Sequence, residues 1–279
     1  METGQKIIQK NNNIDQNLYK LSIQVSLNGL SFCVLNLENK TIAFSKTIKF
    51  DKRLTPNETL DKLTHQFNTE DFLNNTFSQV TIVHDNELST LVPKALFNEE
   101  YIADYLKFNS KILRTDFITF DELSINDSVN IYVPYVNINN YIYDRFGNFE
   151  YKHYSTVLIE SLLNNDKYSS DDKMYVNVNN SHFEILVTQN NNLRLYNTFE
   201  FHTKEDFIYY ILFTAEQLNL NPEEFKLLLL GDIKKEDDLF NIAYKYIRNI
   251  SFITARKKYA IPQNIDMTIA KDLIILNSF

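Results

Sequence analysis

Apolar and polar residues alternate with a period of two in two stretches of the chain, and the two stretches run in the same order. In residues 174–201 (MYVNVNNSHFEILVTQNNNLRLYNTFEF), Val176 and Val178 alternate with polar neighbours. Asn179-Asn180, the apolar positions Phe183, Ile185 and Val187, the turn Asn190-Asn191-Asn192, and then Leu193 and Leu195 follow. In residues 21–50 (LSIQVSLNGLSFCVLNLENKTIAFSKTIKF), Ile23, Val25 and Leu27 lead into Asn28-Gly29. Phe32, Val34 and Leu37, a turn near Glu38-Asn39-Lys40, and Ile42 and Phe44 follow. Strict alternation turns one face of each segment inward, so each stretch predicts a three-stranded β-meander. Asn tolerates positive φ better than other residues that carry a Cβ, and Asn-Gly predicts a type I′ hairpin at 28–29. The two turns are 11 residues apart in the first stretch (Asn28 to Asn39) and 12 in the second (Asn179 to Asn191).

The pattern then changes to a helical period in both halves. Thr55-Pro56-Asn57-Glu58 reads as an N-cap with Pro at the first helical position, and Leu60, Leu63 and Phe67 follow at helical spacing. Thr203-Lys204-Glu205-Asp206 reads as a capping box with Asp in the acid's place, ahead of Phe207, Ile208, Ile211, Leu212 and Ala215. Each helix precedes a compact apolar strand, Val80–Val83 in the first half and Leu227–Leu230 in the second. Order, turn chemistry and spacing agree, which predicts an internal duplication.

The rest of the chain is less regular. Residues 71–75 predict a short helical piece, and Leu91-Val92-Pro93 breaks the pattern. Residues 99–108 predict a helix with Tyr101, Ile102, Tyr105 and Leu106 on one side. Residues 112–120 and 129–136 alternate like strands, with Pro134 marking an edge or a strand end. A short helix is predicted at 138–146, a strand at 149–154 and a helix at 155–163. Residues 164–173 (NNDKYSSDDK) read as a linker. Asn221-Pro222 is a turn or a new helix start, 237–248 a helix and 250–255 a strand; 265–276 is a helix, or a helix followed by a strand.

Composition narrows the function classes. The chain has 279 residues, room for one large domain or two ordinary ones, and 21 Phe and 17 Tyr to fill a core. The formal charge is −8, with no basic cluster beyond Arg256-Lys257-Lys258, which argues against nucleic acid as a partner. Cys33 is the single cysteine, so no disulfide forms within the chain, and core filler is its expected role. No apolar run approaches the length of a membrane span, and no apolar run follows a basic start as in a signal peptide. The cytoplasm is the expected compartment. Residues 1–17 read as a flexible polar arm. Only four glycines occur, at 4, 29, 147 and 231, and no glycine-rich phosphate loop is present.

Meander, helix, strand, helix, strand, written twice, resembles the duplicated ribonuclease-H fold of the actin-like ATPase superfamily, which includes sugar kinases, actin, the 70-kDa chaperones and pilus-assembly ATPase-like proteins. As a whole the chain resembles an uncharacterised bacterial domain-of-unknown-function family within that group. The resemblance implies an α/β fold of two ribonuclease-H-like lobes. The first spans 18–165 with an inserted aromatic-rich segment, and the second spans 174–279. The superfamily's phosphate loops read roughly Asp-x-Gly-[Thr/Ser] and Asp-x-Gly-x-[Gly/Thr]. The matching stretches are Ser26-Leu27-Asn28-Gly29 and Asn177-Val178-Asn179-Asn180, so Ser26 and Asn177 stand where the acids belong. The adenosine loop keeps one glycine in Leu230-Gly231-Asp232.

Neutral Ser26 and Asn177 hold Mg²⁺ poorly, and phosphoryl transfer needs a metal or its equivalent against the developing charge. The resemblance therefore implies a degenerate nucleotide cleft at Ser26, Asn28, Gly29, Asn177, Asn179, Asn180, Gly231 and Asp232. No catalytic residue, cofactor or metal is expected. The expected role is non-catalytic: a binding or scaffold protein with a protein partner, docked through the inter-lobe cleft or through the aromatic run Tyr132, Tyr135, Tyr141, Tyr143, Phe146, Phe149, Tyr151 and Tyr154. The alternative is a divergent nucleotide-binding enzyme that uses Asp85 or Asp232 at the strand ends. His84-Asp85 reads either as a base with its orienter or as a hydrogen-bonded loop pair. His182 reads as a cleft or an exposed strand residue. A nucleophilic Cys33 would need an exposed, electropositive setting.

Overall fold

The computed structural model describes residues 18–108, 110–180, 182–190, 192–254, 258–268 and 270–279. The arm expected at 1–17 and most of the basic cluster at 256–258 lie outside the described residues. The first half forms β1 (Tyr19–Ser26), β2 (Gly29–Asn36), β3 (Thr41–Lys49), α1 (Pro56–Thr69) and β4 (Gln79–His84). An insertion follows: β5 (Ser89–Pro93), α2 (Ile102–Lys107), β6 (Thr119–Leu123) and β7 (Ser128–Tyr132). The half closes with α3 (Val136–Phe146), β8 (Glu150–His153) and α4 (Tyr154–Asp166). The second half forms β9 (Lys173–Val178), β10 (His182–Gln189), β11 (Asn192–Glu200), α5 (Lys204–Gln217), β12 (Lys226–Gly231), α6 (Asp238–Tyr246), β13 (Asn249–Phe252) and α7 (Leu273–Asn277).

The two large sheets have one topology. Strand orders are β3-β2-β1-β4-β8 and β11-β10-β9-β12-β13. In each, the meander is antiparallel and the two later strands add in parallel. This is the ribonuclease-H-like arrangement, present twice as the sequence implies. The copies agree even in an irregularity. The ladder slips between Val34 and Leu35 in the first sheet and between Val187 and Thr188 in the second. Capping boxes at Thr55/Glu58 and Thr203/Asp206 start α1 and α5, each satisfying two backbone N–H groups that the helix start leaves open.

Each sheet has one face under its own helices. Leu21, Ile23, Val25, Phe32, Val34 and Ile82 pack with Leu63 and Phe67 of α1 and Ile138 and Ile142 of α3. Met174, Val176, Val178, Phe183, Ile185 and Leu229 pack with Phe207 and Ile211 of α5 and Phe240 and Ala243 of α6. The other faces are covered crosswise. α4, which ends the first half, lays Val157, Leu158, Ile159 and Leu162 against Tyr175, Leu186 and Leu230 of the second sheet. α7, which ends the second half, sets Ile275 and Leu276 against Cys33, Leu35 and Ile42 of the first. The segment leading to α7 also pairs with the first sheet's edge: Ile42 N donates to Ala260 O, and Ala260 N to Lys40 O, both at 2.9 Å. The halves are thus bound by a reciprocal exchange of their last helices. Burying each large apolar side chain at this junction contributes roughly 1.5–3 kcal/mol.

Several local expectations are corrected. Leu91-Val92-Pro93 is not a break but belongs to edge strand β5, where a proline's missing N–H costs nothing. Of the strand expected at 112–120, only 119–120 enter β6. β7 stops at Tyr132, two residues before Pro134, so the proline marks a strand end. The expected linker gives its ends to regular elements: Asp166 closes α4, and its buried carboxylate binds Lys173 Nζ of β9 and Thr188 Oγ1. The tail helix covers only 273–277. The aromatic run is core. Tyr132 and Tyr154 are buried, Tyr135, Tyr141, Phe146, Phe149 and Tyr151 pack on the first sheet's core, and only Tyr143 is exposed. No helix among the described residues is long and apolar enough to cross a membrane.

Candidate functional site

The carboxyl ends of β1, β4, β9 and β12 open on one cleft between the two halves, about 950 Å³ in volume. Ser26, Asn28, Gly29, Asn177, Asn179, Asn180, Gly231 and Asp232 all border it. Their local geometry differs from the expectation. Asn28 and Gly29 keep negative φ, as does Asn180, so the hairpin at 28–29 is not type I′. Positive φ falls instead in the second turns of the two meanders, at Lys40 and Asn190. Gly29 is required by space: a Cβ there would lie 2.5 Å from Ile48 O. Gly231 is required twice over, by φ +87° and by a would-be Cβ contact of 2.3 Å with Val178 O. Ser26 Oγ accepts from Asn28 N at 3.2 Å, closing the first turn on itself.

The ladder registers fix which residues correspond between halves. Val25 pairs with Leu30 and His84; Val178 pairs with Phe183 and Gly231. The amide of the next residue then donates to the strand carbonyl in the same way, Asp85 N to Val25 O and Asp232 N to Val178 O. Asp85 therefore corresponds to Asp232, His84 to Gly231, Gln24 to Asn177, Ser26 to Asn179, and Ser31 to Glu184. The equivalence of Ser26 with Asn177 assumed from the sequence is two residues out of register.

The floor of the cleft holds two carboxylates that the loop comparison did not single out as a pair. Glu184, on β10, is buried at 4% exposure. Asn177 Nδ2 donates to its Oε2 at 2.8 Å, and Asn179 Nδ2 reaches both oxygens at 3.3 and 3.2 Å. His182 Nε2 lies 3.1 Å from Oε1. Burial pulls the His182 imidazole down, but its hydrogen bond to Glu184 and the charges of Glu184, Asp85 and Glu87 prevail and raise it. Asp85 accepts from Gln24 Nε2 at 3.0 Å. Burial pushes its carboxyl up to about 6; Gln24 opposes this, and the charge of Glu184 adds to it.

His84 does not serve Asp85. Its Nε2 donates to Asn139 Oδ1 at 2.9 Å and its Nδ1 accepts from Tyr135 N at 3.3 Å, so it is a fully paired core histidine, held down to about 4 by burial. Cys33 is likewise core, its thiol pushed up to about 12 by burial. Asp232 forms an ion pair with Lys49 of β3 at 2.6 Å, which joins the two halves across the mouth. The amino end of α4 also meets the cleft through His153 and Tyr154. Its positive end is already matched by Asp121 of β6, which accepts from His153 N at 2.9 Å and Thr156 Oγ1 at 2.6 Å. Among the described residues no group of three His, Cys, Asp or Glu side chains is placed to hold a metal.

Glu184 was legible only as an acid inside an otherwise apolar strand, Phe183-Glu184-Ile185, on the face opposite the core positions. Asp121 gave no sequence signal, because the helix start it serves lies more than 30 residues away.

A family described as "Protein of unknown function (DUF3822)" matches residues 8–250. No curated protein matches the chain. A crystal structure from Bacteroides thetaiotaomicron, of a protein with actin-like ATPase fold and unknown function, is 27% identical with a TM-score of 0.76; the match covers 85% of this chain and 91% of that one. A PilM–PilN type IV pilus biogenesis complex is similar over 92% of this chain and 95% of the matched chain, at 9% identity and a TM-score of 0.58.

Proposed function

The chain belongs to the DUF3822 family of proteins of unknown function, and from that premise we propose that this actin-like fold serves as a binding or scaffold module whose nucleotide loops are degenerate. One observation carries the reading. The groups at the strand ends that would face a phosphate are engaged with the protein's own carboxylates. Asn177 and Asn179 both bind buried Glu184, and Asp121 complements the start of α4. A phosphate entering here would meet Glu184 and Asp85 at close quarters in a medium of low polarity, where like charges repel strongly. Each Asn donor would also have to give up a charge-assisted hydrogen bond. The residues therefore do not fit a magnesium–nucleotide complex.

Of the acids available to a divergent enzyme, Asp232 is tied to Lys49, and Asp85, which accepts from Gln24, sits beside Glu184 and forms no ion pair among the described residues. We place the division between sequence halves within 164–173, with lobes at 18–165 and 174–279, and the protein in the cytoplasm. A protein partner is supported by the similarity in fold to the PilM–PilN complex and by a cleft whose strand-end Asn donors are taken by Glu184. The aromatic run is packed into the core, which leaves the cleft as the docking region.

Thermal denaturation with and without ATP and Mg²⁺ tests this. The expected result is an unchanged midpoint, together with a stable protein partner in a pull-down from the native host. A shift of several degrees that disappears in Asp85→Ala or Asp232→Ala would favour the nucleotide-binding enzyme instead.

A further inference from the structure

The internal correspondence that relates Asp85 to Asp232 extends to the outer strands. Gly29 pairs with Lys49 on β3, and His182 pairs with Glu200 on β11. Ile48 corresponds to Phe199, so Lys49 corresponds to Glu200. In one half of the cleft an aspartate after the fourth strand of a sheet binds the ammonium group that the opposite half's outer strand delivers: Lys49 Nζ to Asp232 at 2.6 Å. The first half repeats the aspartate as Asp85, but the matching position on the second half's outer strand is Glu200 in place of the lysine.

Among the described residues Asp85 therefore forms no ion pair to match its counterpart's, and the acids around it make that costly. Glu184, Glu87 and Glu200 border the same cleft. Of the basic groups that line the cleft, Arg53 pairs with Glu87 at 3.1 Å, and His182, whose charge also favours the ionised form of Asp85, pairs with Glu184 at 3.1 Å; Lys111 and Lys271 form no ion pair with Asp85. The walls beside Asp85 are aromatic and hydroxylic. Tyr135, whose hydroxyl donates to Asp85 O at 3.0 Å, Tyr154 and Tyr196 all line the cleft. A carboxylate beside tyrosine walls favours a compact organic cation over a hydrated metal ion.

We propose that the Asp85 side of the cleft is a receptor for an alkylammonium or guanidinium group brought by a ligand, taking the place that Lys49 fills beside Asp232. The inference deepens the binding-module reading and rests on it: if no phosphate enters, a cation is the complementary ligand. The group belongs to a lysine or arginine side chain of a partner protein or to a free amine. The shared chemistry is a monocation on an alkyl stem, whose stem packs on the tyrosines while its head reaches Asp85.

The test uses the full chain, titrated at neutral pH with n-butylammonium, with an acetyl-Gly-Lys-Gly-amide peptide and with butanoate, and followed by ligand-observed NMR. Saturable binding of both cations and none of butanoate is expected. Asp85→Asn should weaken the cations by about tenfold or more, the loss expected of a charged hydrogen-bonded contact. Glu200→Lys should abolish binding and raise the melting temperature, because it supplies the missing ammonium within the chain. Glu216→Gln, which makes the same unit charge change as Asp85→Asn but on the outer face of α5, should leave binding unaltered. Tighter binding of the peptide than of butylammonium assigns the group to a polypeptide partner; equal binding assigns it to a free amine. Absence of saturable binding, or equal binding by Asp85→Asn, overturns the proposal. MgATP in a parallel titration keeps the two readings apart. MgATP binding sinks the non-nucleotide reading, whereas amine failure with MgATP silent sinks this inference alone.

Discussion

The two lobes share strand order, register, bulge position and helix caps, yet their corresponding polar positions have diverged almost completely. The first lobe carries Gln24, Ser31, His84 and Lys49 where the second carries Asn177, Glu184, Gly231 and Glu200. The backbone plan was kept by the apolar positions, which nearly all remain Val, Ile, Leu or Phe. The strand-end positions that face the cleft were free to change, because they answer to whatever occupies the cleft and not to the core. A duplicated fold thus separates two kinds of constraint within one molecule. Apart from the strand-end pair Asp85 and Asp232, what is the same in both lobes holds the fold together, and what differs belongs to the site.

Substitutions at corresponding positions break or sharpen that comparison. The largest expected effect is at Gly231. Ala there adds positive-φ strain to a backbone collision with Val178 O, and should cost about 3 kcal/mol or more, read by chemical denaturation. Its counterpart is His84, which no such limit constrains. Next comes Glu184→Ala, which takes the carboxylate acceptor from buried Asn177, half-buried Asn179 and His182 and should cost about 2–3 kcal/mol. Ser31→Ala, at the corresponding position, should stay within about 0.5 kcal/mol. If the two changes cost the same, the cleft asymmetry has no energetic basis.

The pH dependence should also be lopsided. His84 and His153 are held down to about 4 and about 3 by burial, and both lie in the first lobe. Unfolding raises each toward its ordinary 6.5. The stability gained by keeping them neutral is therefore complete above pH 6.5 and drains as pH falls toward 4 and below. Asp85 works in the opposite sense. Its carboxyl is raised to about 6 from 3.8, so its contribution is present below 3.8 and is lost as pH rises through 6. Denaturation curves at pH 5 and pH 7 should show His84→Gln with a smaller acid loss than wild type, and Asp85→Asn with a larger one. The smallest effect is at the mouth. Lys49 and Asp232 are 57% and 40% exposed in their side chains, and Lys49→Ala should cost no more than about 1 kcal/mol.

The fold was readable because its signals are local. Period-two alternation at Val176, Val178, Phe183 and Ile185, and capping residues at Thr55 and Thr203, need no knowledge of the rest of the chain. The site was half readable. The strand-end loops could be located by their likeness to phosphate loops, and all eight residues named from them do border the cleft. Their register could not be read, because Asn28-Gly29 attracts the eye as a hairpin while the true correspondence is set by backbone pairing with β4 and β12. Glu184 and Asp121 were illegible for a related reason. A buried acid is recognisable only by its partners, and those partners come from other strands and from the start of α4. The crosswise helices were hidden as well, since Leu158 or Ile275 reads as apolar whichever sheet it covers.

The account's central claim is that the cleft is closed to phosphate because its own carboxylates hold the groups a phosphate would need. Calorimetric titration of the intact protein with MgATP at millimolar concentration tests it most directly. The account predicts no saturable heat. Saturable binding that weakens on Asn177→Ala or Asn179→Ala would contradict it.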